Sequence, residues 1–399
     1  MSRPGPSVNR ERRRIPDRDG GTGDGAPPCT IRSMRSPVIT GAGAVTALGR
    51  GLAATRDALA AGRLAVAPVE GSETPERRER SPAARIGAFT TEPELVKAKA
   101  RRLDLGSQYA IVAARHCLLD ARYEMTGREE RTGILLGTGS AGAGPLTEFE
   151  RQMAVESPEM ASPFLFPNTV ANAPASQVAL ELDIKGPNVT ITQKDPAALN
   201  ALFYARMLLA DGRADALLVG AADEWNLVYH LAYEHVRATR TASHSGFVLG
   251  EGAAIVLVED EGVARARGAR IRARVSGVAS RGVALSPQKR RADPAALAAT
   301  IQAALDDAGL PPSAIGLVHL SKNGVPWTDD AEEAALASVF STRPPSAEIK
   351  KALGENPCIG AIQLALSALA LSEAPELGAI LIDAFGAGGN FLAAVLTAP

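Results

Sequence analysis

The chain has 399 residues, 46% hydrophobic and 22% charged, with a formal net charge of -1. That is enough chain for two α/β lobes with a substantial core, and the balanced charge excludes the basic footprint of a nucleic-acid or anionic-membrane binder. No apolar run reaches the ~18–20 residues of a membrane-spanning helix. The cysteines Cys29, Cys117 and Cys358 lie too far apart for a disulfide framework or a metal site, so a reducing cytoplasm is the expected compartment.

Residues 1–33 are rich in Arg, Gly, Pro and Asp and carry no apolar periodicity. They read as a disordered tail, or as a mis-assigned start with Met34 the true first residue. Arg12-Arg13-Arg14 is not followed by the apolar stretch of a targeting signal. A first lobe over 34–260 opens with a strand at 36–40 that runs into Gly41-Ala42-Gly43. Alanine-rich helices follow at 52–62 and 107–122, around a surface excursion at 64–100. Residues 131–137 form a buried strand, and 144–166 read as irregular.

The segment 186–198 then predicts a strand and the sharp entrance of a buried helix. Asp195 suits the N-cap and Pro196 the first helical position, and Asp211-Gly212 closes the helix. Strands follow at 214–220 and 253–259. A second lobe over 261–399 repeats the alternation: helices at 261–267, 294–308, 330–340 and 359–371, strands at 270–278, 315–320, 378–383 and 391–396. Strands alternating with helices imply an α/β fold. Gly137-Thr138-Gly139-Ser140-Ala141-Gly142 matches G-x-G-x-x-G after a strand. Gly144-Pro145 should interrupt the helix that a dinucleotide site requires, so nucleotide binding is not expected.

Four motifs carry a family resemblance: residues 38–49 at the opening strand, Ile184-Lys185-Gly186-Pro187 before the helix entrance, 245–253 between the lobes, and the glycine loop 385–390. In order and spacing they resemble the β-ketoacyl synthases of the thiolase superfamily. The resemblance implies a five-layer αβαβα fold of two similar lobes, usually dimeric. It implies acyl groups delivered on the phosphopantetheine arm of an acyl carrier protein, with no cofactor or metal of the chain's own. It also implies a Cys-His-His site for decarboxylative condensation, in which a thiol holds the acyl chain and two imidazoles stabilise the developing enolate.

This sequence departs from that site three times. Aligning Gly186-Pro187 puts Asp195 at the cysteine. Pro326, Asp329 and Glu332 fix the register that puts Ser321 at the first histidine, and Lys350-Lys351-Ala352-Leu353-Gly354-Glu355 puts Glu355 at the second. Loss of all three resembles the catalytically inactive chain-length factors, or β-subunits, of type II polyketide synthases. These form heterodimers with an active ketosynthase and shape the tunnel for its product. In them glutamine is common at the cysteine position, and here Gln193 lies two residues early. By the same resemblance Gly144, Pro145, Leu146 and Phe149 fall where the tunnel would be lined, and Phe385 where a gate would sit. His319, two residues before Ser321, reads as an ordinary half-buried histidine, and Cys117 and Cys358 as small apolar side chains. The alternative is altered chemistry on the same fold: a malonyl-carrier-protein decarboxylase or thioester hydrolase using Asp195 or Ser321.

Overall fold

The computed structural model describes residues 29–30, 37–69, 81–285, 292–386 and 388–399. Of the amino-terminal tail, Cys29 and Thr30 form a two-residue strand antiparallel to Ala279 and Ser280. The other residues of 1–33, and Met34, lie outside the described residues.

The expected doubling is present in the topology, although no repeat is visible in the sequence. In the first half, strands Pro37–Thr46, Thr132–Thr138, Asn188–Thr192, Ala216–Asp223 and Gly252–Asp260 come first to fifth in chain order and lie in the spatial order third, second, fourth, fifth, first. The second half repeats that order with Ala273–Gly282, Ile315–His319, Ser346–Ala347, Ala379–Gly386 and Asn390–Thr397. Strand directions repeat as well. The third, second and fourth strands are mutually parallel, and the fifth runs antiparallel to both the fourth and the first. The halves join where Ile39 and Val38 pair with Ala273 and Arg274.

After each third strand the chain enters a central helix, Ala197–Ala210 in the first half and Cys358–Glu373 in the second. Both are apolar over most of their circumference, which suits helices enclosed on all sides. Leu199, Leu202 and Leu209 pack with Leu364 and Leu371 in one core that also includes Val219 and Val256 of one half-sheet and Ile380 and Leu392 of the other. Helices Leu105–Ala121 and Ala173–Leu182 cover the outer face of the first half-sheet, and Pro294–Ala308 and Pro326–Val339 that of the second. The result is five layers, αβαβα.

Three local expectations are corrected. The opening strand does not end at Thr40 but runs through Gly41 and Gly43 to Thr46. Those glycines allow a close approach rather than a turn: a Cβ on Gly43 would lie 2.1 Å from the Ala113 carbonyl oxygen of the covering helix. The excursion 64–100 contains strands Val66–Pro68 and Pro82–Ala84, which form a small sheet with Leu249–Gly250. Residues 144–166 are not irregular throughout, because Ala143–Arg151 is a helix extended by a wider turn over Gln152–Glu156. Pro145 does not break that helix: it stands in the first turn, where an amide would have no intrahelical partner.

Candidate functional site

Asp195 lies between strand Asn188–Thr192 and helix Ala197–Ala210, but it does not cap the helix. The cap position is Pro196, and no side chain accepts the first-turn amides there. The Asp195 carboxylate turns to a full positive charge instead, a stronger partner than amide dipoles. Lys350 Nζ lies 2.6 Å from Asp195 Oδ2. Lys350 opens the short helix Lys350–Leu353, and its side chain is only 2% exposed. The ammonium also donates to the Ser321 carbonyl oxygen at 2.7 Å and to Ser321 Oγ at 3.2 Å, and it pairs with Glu355 Oε2 at 3.1 Å. Ser321 Oγ in turn donates to Asp195 Oδ2 at 3.0 Å. The three positions singled out in the sequence therefore converge on one lysine, which the motif reading used only as a landmark.

Two further carboxyl groups lie behind this cluster. The Ser321 amide donates to Glu332 Oε1 at 2.6 Å and to Asp383 Oδ1 at 3.1 Å. Burial, reinforced by the Asp383 charge, raises Glu332 well above the ordinary carboxyl range, and burial pushes Asp383 up to about 6. The two carboxyls thus bind a proton more readily than free carboxyls do. Burial and then the Asp195 charge lift Glu355 to about 7, against the pull of Lys350. Burial pulls the Lys350 ammonium down, but Asp195 and Glu355 outweigh it and leave its pKa raised, so the lysine is charged and cannot serve as a base.

A cavity of about 220 Å³ opens onto this cluster, and its lining includes Asp195, Ser321, Glu355 and Phe385. Phe385 stacks on Phe391, with ring centroids 6.0 Å apart. Trp225, Tyr229, Tyr233, Phe247 and Trp327 supply aromatic walls. At the mouth Lys194, at φ 55, places its Nζ 4.8 Å from the Tyr233 ring centroid and donates to the Tyr233 hydroxyl. Gln193 does not line the cavity; its Oε1 accepts from Asn200 Nδ2.

The remaining candidates lie elsewhere. Gly144, Pro145, Leu146 and Phe149 stand on helix Ala143–Arg151, outside the cavity of this chain. The Gly144 amide donates to Glu224 Oε1, Leu146 is 41% exposed, and Phe149 packs on Phe166. His319 is buried rather than half-buried; burial lowers its pKa to about 4, and it does not line the cavity. Cys117 and Cys358 are buried among apolar side chains, with burial raising both thiols well above their usual range. The turn at 137–142 does offer amides at a helix entrance, but Asp223 takes them: its carboxylate accepts from the Gly139 amide at 3.0 Å and the Ser140 amide at 3.1 Å. The nest is filled by the chain's own anion, which leaves no place for a phosphate. Among the described residues no group of His, Cys, Asp or Glu is placed to hold a metal ion, and no helix is long and apolar enough to cross a membrane.

The sequence matches the family described as "Beta-ketoacyl synthase, N-terminal domain" over residues 34–264 and "Beta-ketoacyl synthase, C-terminal domain" over 272–374. The chain belongs to the β-ketoacyl synthase family. Among its relatives, a 3-oxoacyl-[acyl-carrier-protein] synthase 2 from Vibrio cholerae is 29% identical over 338 residues, covering 81% of this chain and 78% of the relative. The protein of the same name from Staphylococcus aureus strain COL is 28% identical over 374 residues, covering 87% and 88%. A β-ketoacyl synthase from Burkholderia phymatum superposes with a TM-score of 0.81 at 25% identity, over 92% of this chain and 100% of the other. The ishigamide ketosynthase/chain length factor superposes equally well, TM-score 0.81, at 24% identity over 92% and 99%, a likeness of fold. The family thus includes proteins named as synthases, and the lining of the cavity in this chain contains neither a cysteine nor a histidine.

Proposed function

We propose that this chain is a non-catalytic ketosynthase-like β-subunit, a chain-length factor. It pairs with an active ketosynthase as a heterodimer and bounds the tunnel into which a polyketide or polyene grows, on acyl groups carried by the phosphopantetheine arm of an acyl carrier protein. The observation that carries the reading is the Lys350 cluster, on which Asp195, Ser321 and Glu355, the residues that the sequence resemblance assigns to the family's three catalytic positions, converge. A carboxylate has none of the nucleophilicity of a thiolate toward a thioester. The Ser321 hydroxyl proton is committed to Asp195, so it is not offered to an enolate oxygen. The acidic lining also repels the carboxylate of a malonyl group.

A partner surface is consistent with this reading. Strand Asn188–Thr192 stands at the end of the sheet with one neighbour among the described strands. Val155, Phe164 and Phe166 are more than half exposed on the segment following helix Ala143–Arg151. Gly144, Pro145, Leu146 and Phe149 belong to the same region and are proposed to complete the tunnel at the heterodimer interface, with Phe385 a residual gate.

The test is co-expression with a Cys-His-His ketosynthase encoded beside it. A stable one-to-one complex whose product length changes on Leu146→Ala or Phe149→Ala is expected. A chain that stays apart from such a partner would overturn the proposal. The second reading, a decarboxylase or thioester hydrolase, has one observation in its favour, the 3.0 Å hydrogen bond from Ser321 Oγ to Asp195. Against it, the Asp195 carboxylate already pairs with Lys350 at 2.6 Å. Turnover of malonyl or acyl thioesters by the pure protein, abolished by Asp195→Ala or Ser321→Ala, would establish it instead.

A further inference from the structure

A pair of carboxyl groups separates two cavities of this chain. On one side is the 220 Å³ cavity of the Lys350 cluster, whose lining includes Glu224 and no residue of helix Ala143–Arg151. On the other is a more open groove of about 410 Å³, lined by Asp104, Pro145, Phe164 and Asn168 among others. Glu224 and Asp104 are close enough for the Asp104 charge to act on Glu224.

Glu224 follows strand Ala216–Asp223 and is 7% exposed. Its carboxylate is held from two directions. Oε1 accepts from the Gly144 amide at 3.2 Å, and Oε2 accepts from the Leu105 amide at 3.0 Å. Asp104, also buried, caps helix Leu105–Ala121 by accepting from the Ser107 amide at 2.9 Å and the Ser107 hydroxyl at 2.5 Å. Both carboxyl groups therefore sit at the entrance of one helix, where free amides and the positive helix end hold anions. The flank is closed by Asp223, which takes the Gly139 and Ser140 amides. Helix Ala143–Arg151 closes directly on Glu224, since a Cβ on Gly144 would lie 2.2 Å from Glu224 Oε1. The apolar end of an acyl chain offers no hydrogen bond in exchange. To pass, it would have to part Glu224 from both amides and leave buried donors unpaired.

We propose that Glu224 is the floor of this chain's own acyl cavity: it sets the length of acyl chain the cavity takes and keeps that chain out of the groove beside helix Ala143–Arg151. The inference rests on the reading of the chain as a ketosynthase-like subunit that bounds a tunnel, and it gives that tunnel a direction. A product running along Pro145 and Phe149 reaches them from the partner's side, not through the cavity of the Lys350 cluster.

The experiment titrates the full chain with saturated acyl-pantetheines from butanoyl to dodecanoyl and follows intrinsic tryptophan fluorescence. Trp225, which follows Glu224, and Trp327 both line the cavity. Affinity should rise about fourfold per methylene while each one gains burial, then stop rising at the length that meets Glu224. In Glu224→Ala the rise should continue for two more carbons, so that the chain two carbons past the wild-type stop binds about fifteenfold tighter than it does to the wild type. Glu224→Gln keeps the length of the side chain and should leave the stop in place. Decanoyl-pantetheine carrying a terminal diazirine, photolysed on the wild-type protein, should label residues 223–225, and octanoyl-pantetheine should compete that label away. This readout needs no variant, so it decides the matter if Glu224→Ala does not fold. Affinity that rises without a stop to dodecanoyl, a stop unmoved in folded Glu224→Ala, a competed label anywhere but 223–225, or no saturable binding overturns the proposal. These readouts involve no second protein, so their failure is distinct from a failure to pair with a ketosynthase.

Discussion

Replacing Asp195 with Asn tests whether the Lys350 cluster is a buried ion pair in the energetic sense. The two side chains are 7% and 2% exposed and 2.6 Å apart. Breaking a buried pair by removing one partner costs about 3–5 kcal/mol, because the other charge is left uncompensated. Here Lys350 keeps Glu355 at 3.1 Å, the Ser321 carbonyl at 2.7 Å and Ser321 Oγ at 3.2 Å. Glu355 takes over as counter-ion, so the loss falls to about 2–3 kcal/mol. Lys350→Met leaves Asp195 and Glu355 facing each other and should cost more, about 3–5 kcal/mol. The double variant leaves only Glu355 without its cation and should lose less than the sum of the two single losses, with a coupling of about 2 kcal/mol. Urea unfolding followed by tryptophan fluorescence measures all four proteins, since Trp225 and Trp327 lie on the same cavity. A coupling below about 0.5 kcal/mol, the value of an exposed pair, would refute the argument and with it the claim that charge organises this site.

Stability should fall as pH rises. Glu355 and Glu224 are raised to about 7 and Asp383 to about 6, all first by burial. A raised carboxyl binds its proton more tightly in the folded chain, so the folded state holds more protons between the unfolded value near 4.5 and the folded one, and stability is lost across that window. The urea midpoint should therefore be higher near pH 5.5 than near pH 8, with a flatter slope in Glu355→Gln; a midpoint that rises with pH would contradict the assignment. Gly144→Ala should destabilise by about 1–3 kcal/mol through overpacking, because a Cβ there would lie 2.2 Å from Glu224 Oε1, while Glu224 is anchored through Oε2 by the Leu105 amide. The exposed Leu146→Ala on the same helix should stay within about 0.5 kcal/mol in the isolated chain, and equal losses at the two positions would argue against this packing.

What could be read in the sequence followed from spacing. The register set by Gly186-Pro187, Pro326 and Gly354 was enough to bring Asp195, Ser321 and Glu355 to one site, because those landmarks fix strand ends and helix entrances. The partner of Asp195 was not legible. Lys350 lies 155 residues away, and spacing says nothing about which charges meet once burial has removed water. Glu332 served only as a register mark, yet it faces Asp383 across the Ser321 amide. Asp195 and Pro196 have the residue types of a helix cap, and local propensity would have placed the carboxylate on the amides; a buried ammonium at 2.6 Å overrode it. Pro145 misled for the opposite reason, since its effect depends on whether it stands inside a helix or in its first turn. The doubled strand order left no sequence repeat because packing constrains burial and direction, not residue identity.

On the proposed assignment of Asp195, Ser321 and Glu355 to the family's Cys-His-His positions, the three departures act as one physical unit. An aspartate carries the charge of a thiolate, so Lys350 can pair with either, and the electrostatic frame survives the loss of the nucleophile. The imidazole positions change in the same sense. Ser321 turns its proton back onto Asp195, and Glu355 is a carboxyl group that accepts from Lys350 rather than donating toward a substrate. The Lys350 protons are spent on Asp195, Ser321 and Glu355. The Ser321 and Lys350 donors are therefore committed within the protein, and preorganised donors are the largest single contribution to reactions of this kind. The cluster is held together by the Lys350 charge, which Asp195 and Glu355 both face, at the burial cost that raises Glu355 and Asp383. Under the proposed function, what such a body retains is the volume of its pocket and the surface it presents to another chain.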